Sequence, residues 1–190
     1  MGISRRKLLQ GAAAAAGVGA AGVPGALLAQ SGPIKIQFNA ENGHEPVIAI
    51  IVDNLKAVGI QAVGDPRPSE TYFSSLAKGA CVMCRAGWFA DYPTYDNFMY
   101  DLFHKDAIGG NNYSAFDNAE FNRLVDEAKQ TVDKTKQGEL FQQAEKILLD
   151  DVGVIPLLWY RGDYVYNDDK ITNFEQSNFG LIAWDQVRLK

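Results

Sequence analysis

The chain has 190 residues, 47% apolar and 22% charged. That is enough to bury one real core, a squeeze for two domains of ordinary size, and too apolar for a disordered chain. Its net charge is −5, and the first 29 residues hold three basic groups and no acidic one, which leaves 15 basic against 23 acidic residues, or −8, in the remainder. An acidic surface with no Lys/Arg cluster beyond the extreme N-terminus argues against nucleic acid as the partner.

The chain opens with Ser4-Arg5-Arg6-Lys7-Leu8-Leu9 and an Ala/Gly-rich apolar run to about Ala29. This resembles a twin-arginine export signal, and residues 1–29 are expected to be one. A membrane span is the competing reading. It would want about 20 strongly apolar residues, whereas this run is mostly Ala and Gly and carries Pro24-Gly25 near its end. No cysteine lies near Leu27-Leu28-Ala29, so lipid anchoring there is not expected. The mature protein should be periplasmic and soluble, with residues 30–33 as a linker.

Ile34 to Phe38 alternates apolar and polar residues as a strand does. A turn over Asn42 to Glu45 leads into a helix with Pro46 in its first turn. Ile48, Ile51, Leu55 and Val58 recur at helical spacing, and Gly59 is the stop. Ile60 to Val63 reads as a second strand, so the order predicts a parallel pair with a crossover helix. After the proline-punctuated Asp65 to Ser69, a short helix over Glu70 to Lys78 turns Tyr72, Phe73 and Leu76 inward. Ala80 to Ala86 is the third strand.

Residues 95–103 form another short helix, and the Gly/Asn-rich run from His104 to Ser114 is an exposed loop. Asp117 and Glu120 have capping-box spacing for a helix with the stripe Phe121, Leu124, Val125, Ala128 and Val132. Asp133 caps the next helix, whose stripe is Leu140, Phe141, Ala144, Ile147 and Leu148. Gly138 weakens it by about 1 kcal/mol relative to Ala. The short connection makes the two an antiparallel hairpin, expected to lie on the sheet. Val154 to Tyr160 contains Pro156 and is an edge or a crossing segment. Tyr164 to Asn167 alternates as a strand. The tail from Ile171 to Leu189 carries Phe174, Phe179, Leu181, Ile182 and Trp184.

The densest chemistry lies in Arg85-Ala-Gly-Trp-Phe-Ala-Asp-Tyr-Pro-Thr-Tyr-Asp-Asn-Phe98. A loop of aromatics and acids at the end of a strand is where open α/β sheets place ligand contacts. Taken alone, Trp88 and its neighbours could simply pack a loop onto a core, and Asp91 could be a turn-former. Cys81 and Cys84 invite a redox or zinc reading, but three strand residues put their Cα atoms about 10 Å apart, beyond disulfide reach. With two histidines in the chain, a four-ligand zinc site is hard to assemble. Neither metal nor cofactor is expected. Asp91 with Asp96 could serve a glycoside hydrolase, yet no phosphate loop, Ser/His/Asp grouping or cofactor fingerprint accompanies them, and an enzyme is not expected.

The pattern Gly-Trp-x-x-Asp-Tyr-Pro-x-x-x-Asn-Phe, Gly87 to Phe98, resembles the dipeptide/oligopeptide-type (family 5) extracytoplasmic solute-binding proteins of ABC importers. The likeness continues through Gly110-Asn111, Phe116 to Phe121, Ala144-Glu145 with Ile147-Leu148, and Ile155 to Tyr160. It implies an α/β fold with a mixed sheet flanked by helices, the C-terminal lobe of a periplasmic-binding-protein-like type II fold, over residues 34–190. It also implies that the last strands return to a first lobe, which the chain is expected to lack. The implied partners are a short peptide or similar small solute and the membrane permease subunits. By the same resemblance Asp91 pairs with a ligand ammonium and Trp88 walls the pocket. Backbone around Arg85 to Phe89, with Gly87 in it, is expected to pair with the peptide main chain, and Arg85 either to meet a ligand carboxylate or to form an ion pair on the lobe surface. The alternatives are a truncated non-binding remnant, a self-associating accessory fragment or a carboxylate-based hydrolase.

Overall fold

The computed structural model describes residues 32–79, 82–160, 163–177 and 180–190. The export signal therefore lies outside the described residues. The chain divides into two compact units. One runs up to Trp88 and resumes from Tyr92 to Ile155, and the other comprises Phe89–Asp91 and Pro156–Lys190.

The first unit holds a parallel three-stranded sheet in the order β2-β1-β3, built from β1 (Ile34–Asn39), β2 (Ala62–Arg67) and β3 (Met83–Cys84). Alternation along β1 sends Ile36 and Phe38 into a core shared with Ala62 and with Ile48 of helix α1 (Glu45–Ala57). Ile51 and Leu55 pack on the same cluster, whereas Val58, at the helix cap, is exposed. Gly59 stops α1 as expected. It sits at φ +79°, donating its N–H to Lys56 at 2.9 Å, while Ile60 donates to Leu55 at 2.9 Å. This is the Schellman pattern that a left-handed residue permits.

The second and third strands differ from the sequence reading. β2 begins at Ala62 instead of Ile60 and runs through Pro66 to Arg67. A proline is tolerated there because β2 is, among the described residues, one of the two edge strands of the sheet, with a side that owes no ladder bond. β3 is two residues long where seven were expected, Ala80 and Cys81 lying outside the described residues. Cys84 is half-buried in β3. Helix α2 (Ser69–Leu76) buries Tyr72 and Leu76 but leaves Phe73 largely exposed, edge-on to Tyr72 at 5.1 Å.

A separate core holds the helices α3 (Asp96–Phe103), α4 (Ala119–Gln130) and α5 (Lys134–Asp150). Phe121, Leu124, Val125 and Ala128 face Leu140, Phe141, Ala144 and Leu148, with Met99 of α3 closing the cluster. The hairpin thus packs on α3, in a core distinct from that of the sheet it was expected to cover. Val132 falls beyond α4 and is exposed. The α4 cap is Asn118, one residue past the expected Asp117. Its Oδ1 accepts from the Glu120 and Phe121 backbone amides at 3.0 and 3.1 Å, and Asp117 accepts from the side-chain Nδ2 of Asn122 instead, at 2.7 Å. Asp133 caps α5 as read, accepting from Thr135 and Lys136.

The run from His104 to Ser114 is more than an exposed loop. Lys105–Ala107 is a short 3-10 turn, and His104 and Asn112 are buried. The Asn112 amide lies within hydrogen-bond reach of the Phe103, His104 and Phe116 carbonyls and accepts the Phe116 amide at 3.1 Å. One side chain thereby knits the turn shut.

In the second unit, Pro156–Tyr160 and Asp163–Asn167 form neither strand nor helix, which corrects the strand expected at Tyr164. Its antiparallel pair is β4 (Ile171–Thr172) with β5 (Arg188–Leu189). Phe174 is the hub: Tyr166 stacks on it at 4.3 Å, and Tyr164 and Trp184 meet it edge-on at 6.0 and 5.8 Å. Among the described residues no helix is long and apolar enough to cross a membrane.

Candidate functional site

The sheet order determines where the connections part. From β1 the chain passes through α1 to one side, and from β2 through α2 to the other. The carboxyl ends of β1 and β3 therefore flank a topological switch point, where open α/β sheets hold ligands. Ala40 to His44 leaves the first of these ends, and the Arg85 to Tyr95 loop leaves the second.

Tyr72 of α2 braces the start of that loop. Its buried hydroxyl lies 2.9 Å from the Gln37 carbonyl of β1 and 2.7 Å from the Arg85 carbonyl. The Arg85 amide also donates to Gln37, at 2.8 Å. Beyond this anchor the Arg85 guanidinium folds over Gly87, where an added Cβ would stand 3.0 Å from it. His44 feels the same cation. Burial first, and then the Arg85 charge, push its pKa down from the ordinary value, with Glu45 opposing.

Trp88 is held from the helical side. Its Nε1 donates to Asn97 Oδ1 at 3.0 Å, and the Asn97 amide donates to Asp101 at 3.0 Å. The Tyr92 hydroxyl lies 3.1 Å from Asp101 Oδ2 and 3.2 Å from Asp96 Oδ2. Desolvation, and then the hydrogen bond to Asp101, push the Tyr92 phenol up to about 12. Asp96, the second carboxylate of the hydrolase reading, also accepts from the Thr94 hydroxyl.

Of the residues singled out from sequence, Arg85, Gly87 and Trp88 belong to the first unit. Phe89, 79% exposed, and the exposed Asp91 group with the tail in the second. The sequence reading did not mark His44, Tyr72 or Asn97 as site residues. Asn97 stood inside the quoted motif, and His44 stood in the turn at the end of β1; Tyr72 carried no signal beyond an apolar face. Among the described residues no group of three or more His, Cys, Asp or Glu side chains could hold a metal ion.

No model of a known protein family matches the chain. The oligopeptide-binding protein OppA of Bacillus subtilis is 29% identical over 137 residues, covering 72% of this chain and 25% of that protein. The ABC transporter-associated periplasmic binding protein DppA of Helicobacter pylori, solved with the peptide STSA, superposes with a TM-score of 0.58 at 27% identity. That match covers 67% of this chain and 26% of the other. The chain is homologous to part of the family 5 peptide-binding proteins. HbpA2 of Haemophilus parasuis, a match in fold alone at 22% identity, covers 83% of this chain and 32% of its own, with a TM-score of 0.64. The fold is thus the α/β type II fold of periplasmic binding proteins. The chain spans about a quarter of the length of the peptide-binding proteins it matches, as a partial second lobe does.

Proposed function

We propose that the chain is the second-lobe part of a peptide-type substrate-binding component, working in the periplasm with an ABC permease and acting by binding, without catalysis. The observation that carries this is the homology to peptide-binding proteins, supported by a loop rich in aromatic and acidic residues at the switch point of the sheet. In this reading Asp91 receives the ligand's α-ammonium. Trp88 walls the pocket. β3 is the terminal strand of its sheet, so the backbone that follows it, Arg85 to Phe89, is suited to pair with a peptide main chain and to read any sequence. Arg85 offers positive charge for a carboxylate. Export follows from the Arg5-Arg6 signal.

The test is calorimetry of the chain with tri-alanine. Asp91, exposed in the chain alone, would be covered by the ligand, so Asp91→Ala should cost about 2–5 kcal/mol of binding, the loss for one partner of a charge pair buried in the complex. N-acetyl-tri-alanine should lose as much on the parent, and the two losses should not add. Binding indifferent to acetylation, or turnover of the peptide, would overturn the reading.

A further inference from the structure

We propose that Asn97 and Asp101 are positioning residues that set the orientation of Trp88, an inference that rests on the reading of Trp88 as a wall of the ligand pocket. The indole Nε1 of Trp88 donates to Asn97 Oδ1 at 3.0 Å, and Asn97 is 0% exposed. At its other end the Asn97 amide nitrogen donates to Asp101 Oδ2, also at 3.0 Å. A carboxylate only accepts, so it can face only the NH2 side of the amide, which leaves Oδ1 turned toward the indole. The indole N–H, which only donates, selects the same orientation, so Trp88 and Asp101, one turn further along α3, fix the amide from its two ends. The Tyr92 hydroxyl, 3.1 Å from the same Asp101 oxygen, gives that carboxylate a second donor.

The bland alternative is that Asn97 merely fills space. An apolar side chain would fill it with no amide to desolvate, and replacing a buried polar pair by apolar groups of like shape is often neutral. A buried amide with its two ends engaged by different partners instead specifies a direction. Ligand sites need that kind of support, because a side chain that presents a surface to a ligand must be locked by the residues behind it. All of these groups lie in the first unit and on two adjoining segments, the loop and α3.

The experiment reads the indole directly. The chain has three tryptophans, Trp88, Trp159 and Trp184, and in 15N-tryptophan-labelled protein Trp88→Phe identifies the Trp88 indole resonance. Its N–H is expected to exchange slowly in the parent and up to about tenfold faster in Asn97→Leu, since one hydrogen bond is worth up to about that factor. Its resonance should shift in both Asn97→Leu and Asp101→Asn. Asp101 is only partly buried, so the second variant keeps the test alive if the first fails to fold. In Asp101→Asn the Asn97 amide loses its charged acceptor and is held less firmly against the indole, so the shift should appear without a matching loss of thermal stability. Tri-alanine affinity should fall by about tenfold in both variants. An indole unmoved in Asp101→Asn, or moved with tri-alanine affinity unchanged, would overturn the proposal. A parent that binds no tri-alanine counts against the proposed function, and indole exchange then decides the positioning role by itself.

Discussion

At the scale of single residues, the lowered pKa of His44 is expected to make the stability of the chain depend on pH. Burial and then the Arg85 charge hold His44 below its ordinary pKa of 6.5. A histidine depressed in the folded state binds fewer protons there than in the unfolded chain between the two pKa values. Its stabilising contribution is complete above the unfolded pKa and drains away as the pH falls through the folded one. The parent should therefore lose stability faster than His44→Gln as the pH drops from about 7.5 to about 5.5, measured as urea midpoints. Parallel curves would show that burial and the Arg85 charge do not lower the His44 pKa. The spacing of the aromatic loop was legible in the sequence, but this pairing was not. His44 and Arg85 stand 41 positions apart in the chain and meet only because β1 and β3 are neighbours.

At the scale of elements, the two ends of helices α1 and α5 make a controlled comparison. Both close by the same Schellman pattern, Val152 donating to Leu149 at 3.2 Å and Gly153 to Leu148 at 2.9 Å at the end of α5. The left-handed position is glycine in α1, Gly59, but valine in α5, where Val152 sits at φ +57°. A left-handed conformation costs an L-residue about 1–2 kcal/mol, and a β-branched one is least suited to it. Val152→Gly should accordingly raise stability by about 1 kcal/mol. Gly153→Ala next door should lower it by about 1–3 kcal/mol through overpacking, because an added Cβ would stand 2.6 Å from Phe116 and 2.7 Å from Leu148. Urea denaturation of the two variants checks both signs. Equal effects would mean that neither backbone strain nor the tight packing governs this helix end.

At the scale of the whole molecule, the second unit leaves much apolar surface in water. Leu157, Leu158 and Tyr160 are about half exposed, Trp159 is 97% exposed and Val165 100%. The tail covers part of its own surface by gathering Tyr164, Tyr166 and Trp184 around Phe174, and Leu181 and Trp184 remain largely exposed. Phe179 lies outside the described residues. Each half-exposed side chain forgoes about 1 kcal/mol of burial, and apolar surface of this kind drives association. The chain by itself is expected to self-associate, and Leu158→Ser with Trp159→Ser should shift it toward monomer, as light scattering reads directly. A monodisperse parent monomer would remove the argument.

The sequence by itself determined the elements whose causes are local. The stripes of α4 and α5 follow from side chains three and four residues apart, and the Asp133 cap and the Gly59 stop from single residues acting on their neighbours. The parallel β1–β2 pair was legible for the same reason, since a strand, a helix and a second alternating run leave little choice of topology. The loop from Arg85 to Phe98 carried a motif that pointed to the peptide-binding proteins the chain matches. Tertiary structure alone decided what depends on distant partners. β3 shortens to two residues because the ladder with β1 ends at Arg85. The helical hairpin packs on α3, because Met99 completes its core. Asn97 becomes the support of Trp88 only once α3 brings its buried amide within 3.0 Å of the indole. Capping and periodicity act over a few residues and leave a mark in the sequence. Contacts made across the fold carry no local signature, so only the folded chain reveals them.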